Sequence, residues 1–314
     1  MHTPADFSIA ENGQFMPEDW VEIIFNPSFP YRFAHALIAS YLTTAFIVGA
    51  TAAWHLLRAR RDGQIPRAAS VKMLSVAPWM ILFTVPVQIL SGELHGLKTL
   101  EHQPVKIMAM EGQFQSYPEG APLILFGLPN EAEKRIDHAI EIPNLGSLIL
   151  KHDPTAPMPG LDTVPDDEEP PVAIVFWSFR VMVGIGVAML GIGMWGLLAR
   201  MRGTMTHSPR LHRALVAMGP SGLVAVIAGW ITAEVGRQPY TVYGHLRTAD
   251  SVAPLSAGSV GASLMAFVVV YFLVFGAGIF YLLRLMKRTP GDAEEAAPPA
   301  PGVALGTGQA EAAR

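Results

Sequence analysis

The run Ala214-Leu215-Val216-Ala217-Met218-Gly219-Pro220-Ser221-Gly222-Leu223-Val224-Ala225-Val226-Ile227-Ala228-Gly229-Trp230-Ile231 carries no charge. At ~1.5 Å rise per residue it is about one bilayer crossing long as a helix. Its Leu, Val, Ala and Gly content, without strict two-residue alternation, argues against a barrel strand. Two ionisable residues follow it in Thr232-Ala233-Glu234-Val235-Gly236-Arg237-Gln238-Pro239-Tyr240. A carboxylate and a guanidinium at the edge of the hydrocarbon are costly, which makes Glu234 and Arg237 functional candidates.

The same composition recurs along the chain. Of 314 residues, 51% are hydrophobic and 15% charged, too apolar for an ordinary soluble domain. Segments 33–57, 71–90, 172–198, 211–233 and 259–283 are each long enough to span a bilayer, and Pro, Gly or charge bounds each. The sequence therefore predicts an all-α integral membrane protein of five transmembrane helices. Its divisions are an outer segment 1–32, two helices within 33–90, a large loop 91–171, three helices within 172–288, and an Ala/Pro/Gly-rich tail 289–314 expected to be disordered.

Basic residues orient the bundle. Arg58, Arg60, Arg61, Arg67 and Lys72 follow the first span, Arg200, Arg202, Arg210 and Arg213 follow the third, and Arg284, Lys287 and Arg288 end the fifth. All fall on one side if the spans alternate, and that side, with the C-terminus, is expected to be cytoplasmic. The N-terminal segment, the loop 91–171 and the region after Glu234 then lie outside. Asp166-Asp167-Glu168-Glu169, near the end of the loop, reads most simply as a solvated linker. Residues 1–32 are acidic and no apolar targeting segment precedes them, so a preceding transmembrane helix is expected, with this chain the later part of a longer protein.

There are no cysteines, so any iron must be held by His, Met or carboxylate. His35, Met182 and Glu234 lie in the predicted spans towards the same, outer side. An imidazole opposite a thioether is an axial pair for a low-spin haem. Arg180, in Phe179-Arg180-Val181-Met182, would need an anion if buried, and a haem propionate would serve. The residues alone leave the ordinary readings open: an interfacial histidine and a packing methionine. His55, His207 and His212 read as interfacial or snorkelling residues. His95, His102, His138, His152 and His245 lack zinc-site spacing. Gly184, Gly186, Gly191 and Gly193 read as close helix packing. No phosphate loop, nucleophile elbow or basic nucleic-acid stripe is present.

In the loop, Gln103-Pro104-Val105-Lys106-Ile107-Met108-Ala109-Met110-Glu111-Gly112 holds Lys106 and Glu111 five apart. That spacing is too wide for a same-face helical salt bridge, but the two can converge on one polar ligand. A helical turn with ordinary surface charges is the alternative. The segment that follows, with Pro118, Gly120 and Leu123 to Pro129, reads as a structured loop laid over the membrane surface.

Taken together, these motifs resemble subunit I of the cytochrome bd quinol oxidase family. The stretch from Gly229-Trp230 through Ala233-Glu234 to Gly236-Arg237-Gln238-Pro239 is similar to that family's characteristic signature. Lys106 with Met110-Glu111 resembles its quinol-loop motif, Phe179-Arg180-Val181-Met182 its haem-methionine motif, and Asn26-Pro27 with Phe33-Ala34-His35 its haem-histidine motif. The resemblance covers nearly the whole chain apart from the tail, and the loop looks like the short, cyanide-insensitive version.

The resemblance implies that His35 and Met182 are axial ligands of a low-spin haem b, and that Arg180 stabilises its reduced form or its propionates. It implies that Lys106 and Glu111 bind and deprotonate quinol. Glu234 would ligate a high-spin haem b near a haem d, with Trp230 and Arg237 packed around the haems. It further implies oxygen as electron acceptor, a small subunit II as partner, and the bacterial inner membrane as location. Family subunits carry nine helices, so the five here correspond to the later ones. About four earlier helices, with an oxygen-site haem histidine and proton-path carboxylates, have no counterpart in residues 1–32, and oxidase activity is not expected of this chain without another polypeptide supplying them. Two readings from other classes stay open: a transporter whose Glu234 and Arg237 line a substrate path, and a non-catalytic haem-binding membrane module.

Overall fold

The structure is a computed structural model that describes residues 2–288 apart from 12 and 253. The tail from Thr289 lies outside the described residues. A hairpin of β1 (Phe7–Ile9) and β2 (Phe15–Pro17) and a short helix α1 (Trp20–Ile24) precede the first long helix. Helix α2 (Phe29–Arg61) has Pro in its first turn and Arg58, Arg60 and Arg61 in its last. Both suit helix ends: proline needs no hydrogen-bond acceptor there, and cations complement the carbonyl end.

Helix α3 (Ala68–His102) contains Pro78 and Pro86 and runs on well past Leu90. The apolar pattern ends near Leu90, whereas the helix continues through Glu93, Lys98 and Glu101. Lys98 Nζ donates to Glu101 Oε2 at 2.7 Å across one turn. The connection between the second and third membrane helices is therefore 103–171 rather than 91–171. It comprises α4 (Pro104–Glu111), the antiparallel hairpin β3 (Leu123–Asn130) and β4 (Arg135–Ile142), a short helix α5 (Leu145–Lys151) and two 3-10 turns.

The third long helix is α6 (Val172–Met201). The fourth crossing is two helices, α7 (Pro209–Met218) and α8 (Ser221–Val235), parted at Gly219-Pro220 where proline lacks an N–H to continue the ladder. A two-stranded β5 (Tyr240–Val242) and β6 (Leu246–Arg247) leads to α9 (Ala257–Lys287). Among the described residues, five segments are thus long and apolar enough to cross a membrane, α7 and α8 together making the fourth. The all-α expectation holds for the membrane part; three short hairpins lie in the connections.

Helices α2, α3, α6 and α7–α8 pack as a bundle around Leu42, Phe46, Leu74, Ile81, Val85, Met189, Leu211 and Leu215. Between apolar helices in lipid, close van der Waals fit rather than water exclusion holds the contact. At Gly193 an added Cβ would stand 3.0 Å from Ile81, and at Gly196 3.0 Å from Pro78. Gly184, Gly186 and Gly191, expected to serve the same purpose, have open space instead, with nothing within 4 Å of an added Cβ. Helix α9 stands outside the bundle with its apolar side chains exposed.

The basic residues gather at one end. Arg60 Nη1 donates to His207 O at 3.2 Å, Arg200 Nη2 to Ser75 O at 2.5 Å, and His55 Nε2 lies 2.9 Å from Met286 O. His55 and His212, expected to be interfacial, are instead buried; His212 Nε2 lies 2.8 Å from Met205 O. A backbone carbonyl satisfies each ring without any need to reach water. At the other end the acidic run is no free linker. Lys134 Nζ, on the β3–β4 turn, donates to Asp166 at 2.5 Å and Glu169 at 2.8 Å, while Arg247 donates to Asp167 at 2.7 Å and Glu168 at 3.0 Å. Glu131 Oε1 also accepts from Ala173 N at 2.8 Å at the start of α6. Cations from both neighbouring hairpins were needed to hold four adjacent carboxylates, and sequence spacing does not show them.

Candidate functional site

Helix α4 is the centre of the end opposite the basic one. Pro104 starts it, and Gly112 ends it with a φ of 73°, a left-handed turn that glycine adopts without strain. Every residue from Lys106 to Glu111 is buried, so this is an internal helix and not a surface turn with solvated charges. Phe179 and Val235 from the membrane helices, with Leu161 and Val175, pack against its apolar residues.

Lys106 is 3% exposed. Its stem lies against the end of α8, where a Cβ at Gly236 would stand 2.9 Å from Lys106 Cγ. Its Nζ is 3.2 Å from His2 Nδ1, and His2 Nε2 is 3.1 Å from Glu234 Oε1. Burial, with Lys106, Arg32 and Arg237 nearby, pushes His2 down to about 2. The imidazole is therefore neutral, and the contact with Glu234 is a hydrogen bond rather than an ion pair. One tautomer satisfies both contacts: Nε2–H donates to the carboxylate and Nδ1 accepts from the ammonium. Gln103 Nε2 donates to the His2 carbonyl.

Burial first, then Arg32 and Arg237, lowers Lys106 to about 7. Below about pH 7 both folded and unfolded chains carry its proton, and the full cost of burial is present. From about 7 to 10.5 the folded chain is neutral there and the unfolded chain charged, so this cost shrinks as pH rises. Lys106→Met is thus expected to raise the thermal unfolding temperature of detergent-solubilised protein most at and below neutral pH. The gain should fade towards pH 10.5; a gain independent of pH would contradict a charged, desolvated Lys106.

Glu111, 6% exposed, lies near Arg180 of α6. Burial pushes its carboxyl up, against the pull of Arg180, and its Oε2 has no hydrogen-bond partner. Lys106 and Glu111 thus face different neighbours, the α8 end and Arg180. Arg180 itself donates from Nη1 to Met110 O at 2.7 Å and Phe176 O at 3.2 Å, and from Nε and Nη2 to Ile124 O at 3.1 and 2.5 Å. Its guanidinium stacks 3.3 Å over the Phe176 ring. Four of its five N–H groups are so engaged, and the buried cation expected to seek a propionate ties α4, β3 and α6 together.

Glu234 Oε2 accepts from Arg237 Nη2 at 2.5 Å, and Arg237 Nη1 donates to Thr241 O at 2.7 Å. The pair turns the chain out of α8 into β5. Trp230, one turn earlier, is 68% exposed. On α2, His35 is held by α3: Gln88 Nε2 lies 3.0 Å from its Nε2, and a Cβ at Gly92 would stand 3.2 Å from its Cε1. The His95 ring is 5.7 Å away, centroid to centroid. On α6, Met182 is held by α8, where a Cβ at Gly229 would stand 2.7 Å from its sulfur. Glycine at 229 is what lets the thioether approach.

Among the described residues no three His, Cys, Asp or Glu side chains cluster as a bare metal ion would need. His35, Met182 and Glu234 offer an imidazole, a thioether and a carboxylate, of which the first two are donors that would hold a haem iron. Arg32 and Arg237 each bury an unpartnered Nε, and three cations, Arg32, Lys106 and Arg237, surround the single carboxylate of Glu234. That surplus suits the carboxylates of a haem edge. The donor set and its charge fit a haem.

A family model described as cytochrome bd terminal oxidase subunit I matches residues 1–290. The chain belongs to this family. It is 31% identical over 294 residues to the putative cytochrome bd menaquinol oxidase subunit I of Bacillus subtilis (strain 168), covering 92% of this chain and 64% of the relative. To the cytochrome bd-II ubiquinol oxidase subunit 1 of Escherichia coli (strain K12) it is 26% identical over 335 residues, covering 86% and 64%. Among solved structures, the bd oxidase from Geobacillus thermodenitrificans superposes with a TM-score of 0.81 at 34% identity, covering 92% of this chain and 65% of that one. The chain spans just under two thirds of the length of these relatives. As a bd oxidase subunit I homologue it is a multi-pass membrane protein of an oxidoreductase family.

Sequence reasoning missed His2 and Arg32 at this site. For Arg32 a signal existed: it is the one basic residue in the acidic segment 1–32. For His2 there was none.

Proposed function

We propose that this chain is the quinol-oxidising, haem-carrying part of a cytochrome bd oxidase. It would take electrons from quinol at the outer face of a bacterial inner membrane and pass them towards oxygen. The basic end of the bundle, with the C-terminal end of α9, faces the cytoplasm by the positive-inside rule. Smaller subunit II, and the segment by which the relatives are longer, are the partners this reading requires. Haem b at a low-spin site, haem b at a high-spin site and haem d are the cofactors.

One observation carries the reading: α4 buries both an amine lowered to about 7 and a carboxyl raised by burial, packed on α6, which bears Met182, and against the end of α8, which bears Glu234. Quinol must lose two protons and two electrons to become quinone. A base works best when its pKa lies near ambient pH, and burial moves both groups in that direction. Glu111 accepts one hydroxyl proton; Lys106, neutral in part at pH 7, orients the other hydroxyl and accepts its proton. His2 and Glu234 continue from Lys106 as a line of hydrogen bonds, which gives that proton a place to go. A haem held by His35 and Met182 supplies the one-electron redox chemistry. Arg180 keeps α4 against α6, so the quinol helix and the Met182 helix move as one.

Steady-state quinol oxidation by membranes carrying the chain with its partner polypeptides tests this. Lys106→Ala and Glu111→Ala are each expected to slow turnover by about 100-fold or more, the usual size of a lost acid or base, with the haem spectrum intact. Loss of haem in either variant would reject a quinol-site role for that residue.

A further inference from the structure

Gln113 is 1% exposed, and neither its Nε2 nor its Oε1 has a hydrogen-bond partner. Its backbone is fixed: Gln113 N donates to Met108 O at 2.8 Å, and Gln113 O accepts from Leu161 N at 2.9 Å. The buried polar amide is therefore not loosely placed, yet both of its functional atoms are idle. Gln88 and Gln103 each bury an unpartnered Oε1 as well, but their Nε2 atoms are engaged, with His35 and with the His2 carbonyl. Two residues before Gln113, Glu111 Oε2 is idle too. Three orphaned polar atoms thus sit at the single turn that closes α4, next to buried Phe114 and Leu161.

Folded proteins leave few buried polar atoms unpaired, and each exception asks for a ligand or an ordered water. Methionine would fill much the same volume with no amide to desolvate. A partner for Gln113 must offer an acceptor to Nε2–H and a donor to Oε1 together. A carboxylate or a cation does only half of this; a hydroxyl does both.

We propose that Gln113 contacts the ligand of this site, binding one ring hydroxyl of quinol through both atoms of its side-chain amide, beside the carboxyl of Glu111. This rests on the quinol reading above and adds to it a discriminating residue. Quinol can donate to Oε1 while the quinone product can only accept, so Gln113 favours substrate over product by one hydrogen bond. Oxidation to quinone leaves Oε1 without its donor, which eases product exit.

Equilibrium binding of short-tailed benzoquinol and naphthoquinol, and of the matching quinones, to purified protein without oxygen tests this apart from turnover. Gln113→Met is expected to weaken quinol about tenfold, the scale of two ordinary hydrogen bonds, while thermal stability holds or rises. Gln113→Glu, assayed at a pH high enough to ionise the introduced carboxyl, removes the donor and keeps acceptors, and is expected to weaken quinone more than quinol. Unchanged quinol affinity in Gln113→Met with a raised unfolding temperature would mean that water alone partners the amide, and would overturn the assignment. If Gln113→Met does not fold, equal weakening of quinol and quinone in Gln113→Glu overturns it instead. Should the unsubstituted protein bind none of the four probes, the quinol reading falls and takes this assignment with it. If Lys106→Ala and Glu111→Ala weaken binding and neither Gln113 variant does, only this assignment fails.

Discussion

Met182→Leu is expected to abolish the low-spin b-type band in a reduced-minus-oxidised spectrum of the purified protein, and His35→Ala to do the same. The two substitutions are informative for different reasons. Leucine conserves the volume of methionine, and such swaps usually cost less than about 1.5 kcal/mol. The side chain would still lie against Gly229, and α6 and α8 would still meet. What disappears is the sulfur lone pair, so loss of the band reports a lost ligand rather than a lost fold. His35→Ala removes both ring nitrogens and leaves Gln88 Nε2 without the imidazole that now lies 3.0 Å away. Its expected spectrum is the same, with a larger loss of stability. A band unchanged in Met182→Leu would mean that the thioether only packs, and would remove Met182 from the site.

Arg180→Ala should have the largest effect on the fold of the end that holds α4. The carbonyls of Ile124, Met110 and Phe176 would lose their guanidinium donors at once, and the Glu111 carboxyl would lose its neighbouring cation. Removing one partner from a buried charge network costs about 3–5 kcal/mol. Arg180→Lys should recover only part of this, because one ammonium cannot reach both Ile124 O and Met110 O as a planar fork does, nor stack on Phe176 in the same way. Hydrogen exchange across 104–111 and 123–142 reads the effect directly: faster exchange in both segments together, with the ends of α2 and α3 unaffected, is the expected pattern. Unchanged protection in Arg180→Ala would show that α4 is held by its apolar contacts alone.

The membrane part was legible because lipid imposes one strong rule, a long apolar run, and all five runs obey it even with Arg180 inside the third. Their ends were less so. Residues 91–102 are helical yet more polar, so the end of the apolar run does not mark the end of the helix. The break at Gly219-Pro220 was visible as residues but not as a change of helix. His35, Lys106, Met182, Glu234 and Arg237 stood out as costly or ligand-bearing residues at sensitive positions, and the structure brings Lys106 close to the Glu234–Arg237 turn through His2. Arg180's partners were out of reach of any local pattern, since Ile124 and Met110 lie 56 and 70 residues away and offer only backbone oxygens. The acidic run looked solvated for the same reason: Lys134 and Arg247, which clasp it, come from separate hairpins. Burial of α4 was hidden by its two charges, which make it read as a surface turn.

The central claim, that quinol bound at α4 delivers electrons to the haem of His35 and Met182, needs neither oxygen nor the oxygen-reducing haems. Anaerobic mixing of haem-loaded protein with a short-tailed quinol should therefore produce the reduced b-type band. That reduction should slow by about 100-fold or more in Glu111→Ala, while a strong inorganic reductant reduces both proteins alike. A haem that the inorganic reductant reduces but quinol does not would contradict the account.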